Sequence, residues 1–196
     1  MLKICSYNTK GFKNRNFNYL QSLFSDHDIM LLQETWLFEF ESNIISNVLP
    51  NCIFTFTSAM DSGDINRKGR PYGGCAIICR NNFSLTPIKT NTPRLCAASV
   101  VINKIQYLLL SVYMPVDDGS TNSTNIFLEI LEEVSSLMLS HGDHKLIVGG
   151  DFNTDFSRNS VNTNILANYI DFYSFNCSSY DFNCDVHTFE SSAGNI

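Results

Sequence analysis

Apolar residues along this chain recur with two different periods, and the switches between them outline the fold. ICSYN, from Ile4, is a short apolar segment of strand type. Phe17, Leu20, Leu23 and Phe24 then repeat at helical spacing, and IMLLQ follows as a continuous apolar run of strand length. Leu37, Phe40, Ile44, Ile45 and Val48 return to helical spacing, closed by Pro50. From Cys52 to Tyr113 the pattern is one of repeated strands, CIFTF, GCAIICR, FSLTPI, CAASVVI and IQYLLLSVY, separated by turn residues. Phe127, Ile130, Leu131, Val134, Leu137 and Met138 mark the clearest amphipathic helix, which leads into the strand KLIVGG. Ile165, Leu166, Tyr169 and Ile170 suggest one more helix. No repeat, linker or break in composition divides residues 1–196, which are expected to form a single mixed α/β domain with a β-rich core and helices outside the sheets.

Several apolar segments stop at polar residues of similar character. The first ends in Asn8, and the second in Gln33 and Glu34 within LLQETW. Tyr113 closes LLLSVYMP, and GGDFNT presents Asp151 and Asn153 on either side of Phe152. Each alone reads as a strand end or a turn, since Gly, Asp and Asn close strands in any case. Together, in a layered α/β fold, they are expected to converge on one edge of the sheets, where ligands bind. Alternation along an extended segment puts residues 151 and 153 on one face and turns Phe152 into the core.

In the order Asn8, QETW, GRPYGGCAI, SVYMP and GGDFNTD, the sequence resembles the endonuclease/exonuclease/phosphatase superfamily from Ile4 to about Phe189. Within that superfamily it looks most like the endonuclease domains of non-LTR (LINE-type) retrotransposons. The resemblance implies a four-layer sandwich of two mixed β-sheets flanked by helices, and Mg²⁺-dependent hydrolysis of phosphate esters, with Mn²⁺ as an alternative ion. It implies Glu34 and Asn8 as metal ligands, Asp151 as the group that orients or deprotonates the attacking water, and Asn153 and Tyr113 as donors to phosphate oxygens. It also implies Asn8, Thr188 (in HTFE) and Arg70 as substrate contacts. Such chemistry has a physical logic. A hard cation needs only one or two carboxylates because it keeps much of its water shell, and neutral amides and phenols donate to an anion without adding charge to the site. The superfamily pattern continues through Ser-x-x-Asp and Ser-Asp-His motifs that have no counterpart before Ile196. The C-terminal strands are therefore expected to be missing, and the chain to be a weakly active or inactive fragment or degenerate copy.

Composition changes the picture in two places. With 13 Lys and Arg against 19 Asp and Glu, the net charge is −6, which works against tight nucleic-acid binding, since that is normally basic. DNA remains the expected partner. The same superfamily also includes enzymes for nucleotides, RNA and phosphoinositides, and a dead remnant serving as a binding module is the third reading. The loop holding Arg67, Lys68 and Arg70 is the most basic piece, equally readable as a phosphate-facing strip or a solvated loop. Seven cysteines in apolar surroundings read as reduced thiols; Cys75 and Cys79 are expected in the core. There is no membrane span or signal peptide, so an intracellular protein, nuclear or cytoplasmic, is expected, with no stable protein partner inferable. His141 and His144 read as surface residues in a polar turn, and His27 and His187 have no identifiable partner.

Overall fold

The computed structural model describes residues 2–60 and 72–177. By its internal contacts the chain divides into two compact units, Met1–Asn153 and Thr154–Ile196.

The first unit is built on two four-stranded sheets. In the first sheet the order is β1 (Ile4–Asn8), β2 (Ile29–Gln33), β4 (Cys75–Arg80) and β3 (Cys52–Thr57); in the second it is β5 (Ser84–Ile88), β6 (Leu95–Ile102), β7 (Ile105–Tyr113) and β8 (Lys145–Asp151). Both are mixed. β1 runs parallel to β2 with Asn8 opposite Gln33, and β8 runs parallel to β7 with Asp151 opposite Tyr113, while the other pairs are antiparallel. The expected two-sheet α/β sandwich is therefore what forms. Pro87 lies in β5, which among the described residues is the edge strand of its sheet, the position where a residue without an N–H costs least.

Alternation sorts the side chains into layers. Ile29, Leu31, Cys75, Ile77, Cys79, Cys96, Ala98, Val100 and Leu109 fill the space between the sheets. Met30, Leu32, Ala76 and Ile78 point the other way, onto α1 (Asn14–Asp26) and α2 (Asn43–Val48) through Leu20, Phe24, Ile45 and Val48. Strand β2 is buried on both faces, which is why IMLLQ is uniformly apolar rather than alternating. The long helix α3 (Thr121–Ser140) buries Phe127, Ile130, Leu131 and Val134 on one stripe. Ser120 caps it, with its side chain accepting from Ser123 N–H. In the second unit, α4 (Val161–Tyr173) has the same device in Ser160 and Thr163, ends at Ser174 in the left-handed region, and carries a cluster of Tyr169, Tyr173 and Phe175. Among the described residues no helix is long and apolar enough to cross a membrane.

Several expectations need correction. The helical spacing from Leu37 to Val48 does not give one helix: a 3-10 turn at Glu39–Glu41 precedes α2, and Phe40 is left exposed. Phe152 is half-buried rather than in the core. His27 does have a partner, for it ends α1 with its Nδ1 2.8 Å from Leu23 O. His144 is nearly covered rather than a free surface residue, lying between Ser99 Oγ at 2.9 Å and Asp143 Oδ1 at 2.8 Å. Cys75 and Cys79 are fully buried, as expected, and burial raises the Cys79 thiol to about 12.

One glycine in β8 sets the separation of the sheets, and the next lets β8 lie against β7. A methyl group on Gly149 would stand 2.6 Å from Leu31 Cδ1 and 3.3 Å from Ser6 Cβ, both in the opposite sheet. On Gly150 it would overlap the carbonyl of Val112 in the neighbouring strand. Both Gly→Ala variants should therefore lose stability in urea unfolding, by about 1–3 kcal/mol for Gly149→Ala, where a leucine methyl can move. Gly150→Ala should lose more, because the obstacle there is backbone; equal or negligible losses would contradict this packing.

Candidate functional site

The strand ends named from sequence meet because the two sheets are bolted in register one residue earlier. Gln33, the last residue of β2, is buried and points between the sheets. Its Nε2 donates to Ser111 Oγ of β7 at 2.9 Å and to Leu31 O at 3.0 Å, and Ser111 Oγ donates onward to Leu32 O at 2.9 Å. A buried polar group must be satisfied, so this arrangement admits one alignment of β2 against β7. The next residue, Glu34, then emerges beside Tyr113, and pairing of β7 with β8 brings Asp151 alongside.

At this edge Asn8 holds two carboxylates. Its Nδ2 donates to Glu34 Oε1 at 2.7 Å and to Asp151 Oδ2 at 2.8 Å, a bond across 143 positions of sequence. The amide oxygen accepts from Lys10 N–H at 3.0 Å, which fixes which end of the side chain faces the carboxylates. Asp151 repeats the device: its Oδ1 accepts from Asn153 N–H at 3.1 Å. Lys10 and Asn153, the residues whose N–H groups are captured, both have left-handed backbone, with φ of 47° and 46°. The reason that residues 151 and 153 do not share the face of an extended strand is now plain. Strand β8 ends at Asp151, the chain turns back, and Asn153 Nδ2 donates to Met114 O at 2.8 Å.

Glu34 is gripped from another side by Trp36, whose Nε1 donates to Oε2 at 3.2 Å. Both residues are left-handed, with φ of 51° and 56°, a conformation that costs a non-glycine residue of order 1 kcal/mol. Backbone bonds on two sides offset it: Gly11 N–H to Glu34 O, Phe12 N–H to Thr35 O, Thr35 N–H to Gly74 O and Trp36 N–H to Gly73 O. Gly73 and Gly74 are themselves left-handed, and a Cβ on Gly74 would stand 2.6 Å from Thr35 Oγ1. The Gly-Gly of the PYGG stretch thus serves to seat the residues after Glu34.

Tyr113 completes the group. Its phenol is pushed up to about 12, chiefly by burial, then by the negative charge of Glu34 and a hydrogen bond to it, with Asp151 adding and Arg94 opposing. Arg94 lies over the Tyr113 ring at 5.1 Å and donates from Nη1 to Tyr113 O at 3.3 Å. Neither Arg94 nor Trp36 was singled out from sequence. Trp36 stands two residues after the motif glutamate and Arg94 directly precedes β6, so nearness to a strand end was the one signal available for both. Arg70 and Thr188, together with Arg67, Lys68 and His187, lie outside the described residues.

The donor set suits a hard cation. Two carboxylates and a phenol offer oxygen, and among the described residues no group of three or more His, Cys, Asp or Glu gathers to hold a metal. That is few ligands for calcium or zinc, and adequate for Mg²⁺ or Mn²⁺ keeping part of the water shell. His27 and His144 precede β2 and β8, at the far ends of the strands whose last residues lead into the site. For β8 that is roughly 20 Å of extended chain.

Comparison with known proteins agrees with the geometry. The profile of the endonuclease/exonuclease/phosphatase family matches residues 5–186. Among curated proteins no sequence matches. Solved structures share the fold. The endonuclease domain of TRAS1, a telomere-specific non-LTR retrotransposon, has TM-score 0.62 at 15% identity over 87% of this chain and 71% of that one. The 3′ phosphatase NExo from Neisseria, bound to a product DNA hairpin, has TM-score 0.61 at 19% identity, with 87% and 71% covered. The human Nocturnin catalytic domain with a bound sulfate has TM-score 0.59 at 16% identity, with 85% and 68% covered. At these identities the likeness is one of fold.

The Tyr113 phenol gives a pH test. Its folded value of about 12 lies above the ordinary 10, so the neutral form is the one favoured by folding. The associated stability is complete below pH 10 and is lost as pH rises from 10 to 12. The ultraviolet difference titration of wild type against Tyr113→Phe should show one phenol ionising near pH 12; a midpoint near 10 would contradict this environment.

Proposed function

The chain belongs to the endonuclease/exonuclease/phosphatase family, and we propose that within it this chain is a metal-dependent phosphodiesterase that nicks DNA, of the type carried by non-LTR retrotransposons. The observation that carries the reading is the Asn8 amide shared between Glu34 and Asp151 at 2.7 and 2.8 Å. Two carboxylates gathered by neutral donors make a place for a cation. A bound Mg²⁺ would neutralise the phosphate and stabilise the departing oxygen.

The residues divide the remaining work. Glu34 would hold the ion through its carboxylate. Asn8, whose oxygen is engaged by Lys10, aligns both acids. Asp151 orients the attacking water and takes up its proton; each of its oxygens already accepts one hydrogen bond, from Asn153 N–H and Asn8 Nδ2, which fixes the carboxylate plane. Tyr113 stays protonated through neutral pH and, with substrate bound, turns its O–H from Glu34 to a non-bridging phosphate oxygen. Asn153 supports the same oxygens as its amide allows, and Arg94 contributes the positive charge facing the ester. Thr188 and Arg70 are proposed as further substrate contacts. Among the described residues no imidazole stands at this edge.

The net charge of −6 favours a second substrate class, a small phosphate ester that needs no extended basic surface. Incubation of the chain with supercoiled plasmid and Mg²⁺ should give slow accumulation of nicked circles, abolished by chelation. Glu34→Gln and Asp151→Asn should each lower the rate by at least about a hundredfold, as expected for groups acting in the transition state. Hydrolysis of a nucleotide or inositol phosphate with DNA untouched would move the reading to the second class. Failure on all substrates, with Mg²⁺ unbound, would rule out both.

A further inference from the structure

Trp36 is the single tryptophan of the chain, and its surroundings are more specific than filling space would require. It is almost fully buried, yet it adopts a left-handed backbone with φ of 56°. Its indole N–H is 3.2 Å from Glu34 Oε2, while Asn8 takes Oε1 at 2.7 Å. One face of the ring closes on Gly11, itself at φ of 98°, where a Cβ would stand 2.9 Å from Trp36 Cζ3 and closer still to Cε3. The ammonium of Lys13 lies 4.8 Å from the ring centre. A cation over an indole face is attracted to its π system and polarises the ring toward giving up density, which strengthens the N–H as a donor.

We propose that Trp36 is a positioning residue for the Glu34 carboxylate: the indole N–H and the Asn8 amide take one oxygen each, so the acid is held in one rotamer while keeping its full negative charge for a divalent cation. A lysine or arginine in the same place would orient the acid and cancel it. The indole orients it and cancels nothing. Gly11 is the residue that lets the ring lie flat against the turn, and Lys13 reaches the ring rather than the carboxylate. The chemistry recognised is that of a small hard cation, and the inference rests on the cation reading given above.

The test uses Mn²⁺ alone, without substrate. Calorimetric titration should show Mn²⁺ binding to wild type, loss of binding in Glu34→Gln, and binding about five- to tenfold weaker in Trp36→Phe, the scale of one ordinary hydrogen bond. Trp36→Phe keeps an aromatic ring against Gly11 and Lys13, so a merely structural role predicts a lower melting temperature with unchanged Mn²⁺ affinity; that result would overturn the proposal. Absence of Mn²⁺ binding to wild type would instead remove the cation reading and this inference with it. Should Trp36→Phe fail to fold, the emission of Trp36 in wild type decides. It should change on adding Mg²⁺, which is diamagnetic, with the same midpoint as binding, and not change in Glu34→Gln; Mg²⁺ binding with unaltered emission would also overturn the proposal.

Discussion

The constraint on which the rest depends is the buried amide of Gln33. Two sheets packed face to face slide easily when only apolar side chains separate them, because the hydrophobic effect has no direction. A hydrogen-bonded amide between them does. Gln33 reaches Ser111 at 2.9 Å, and Ser111 returns to the carbonyl of Leu32 at 2.9 Å, so slippage by one residue would strand buried donors and acceptors at about 1–3 kcal/mol each. Ser6 flanks the same amide at 3.4 Å, tying in β1. The small residues cooperate, since Gly149 lets β8 come close enough to β1 and β2 for Asn8 to span from one sheet to the other. Chemistry at the edge is thus referenced to polar contacts one residue inside it.

Much of this was legible in the residues, for physical reasons. β2 and β7 are apolar runs with a polar residue at the end, and a pattern of period two or a solid apolar stretch survives any tertiary detail. Asn8, Glu34, Tyr113 and Asp151 were therefore placeable at strand ends before any geometry. What escaped was governed by backbone turns after the strands. Alternation placed Asn153 with Asp151, but alternation holds only while the chain is extended, and the capture of Asn153 N–H by Asp151 Oδ1 ends the strand there. Phe40 fitted a helical period and is exposed, because the chain from Leu37 makes a 3-10 turn before α2. Arg94 and Trp36 stand near strand ends as well, but their parts arise from contacts with Tyr113 and Glu34 that no local pattern encodes.

Left-handed backbone is concentrated where the site is. Lys10, Glu34, Trp36 and Asn153 all have φ between 46° and 56°, and each adjoins or belongs to the group around Asn8 and Asp151. The outlying examples are Asn51, Asn103 and Lys104 in ordinary turns and Ser174 at the end of α4. Strain of this kind persists only where surrounding bonds over-determine the conformation. Here they do, through Gly11, Gly73 and Gly74 on either side of Glu34–Trp36 and through the two side-chain oxygens that cap Lys10 and Asn153.

Charge explains why such strain is worth keeping. Glu34 and Asp151 share one amide, so two negative groups stand close together, and the donors set around them, Asn8, Trp36 and Tyr113, are all neutral. Neutral donors satisfy a carboxylate's hydrogen-bonding capacity without discharging it. Acids held in this way are oriented and paired with their donors in advance of any ligand. Arg94 is engaged by its stacking on the Tyr113 ring and its bond to the Tyr113 carbonyl. An edge organised in this way presents oriented acids whose charge is not cancelled by their donors, an arrangement complementary to a hard cation.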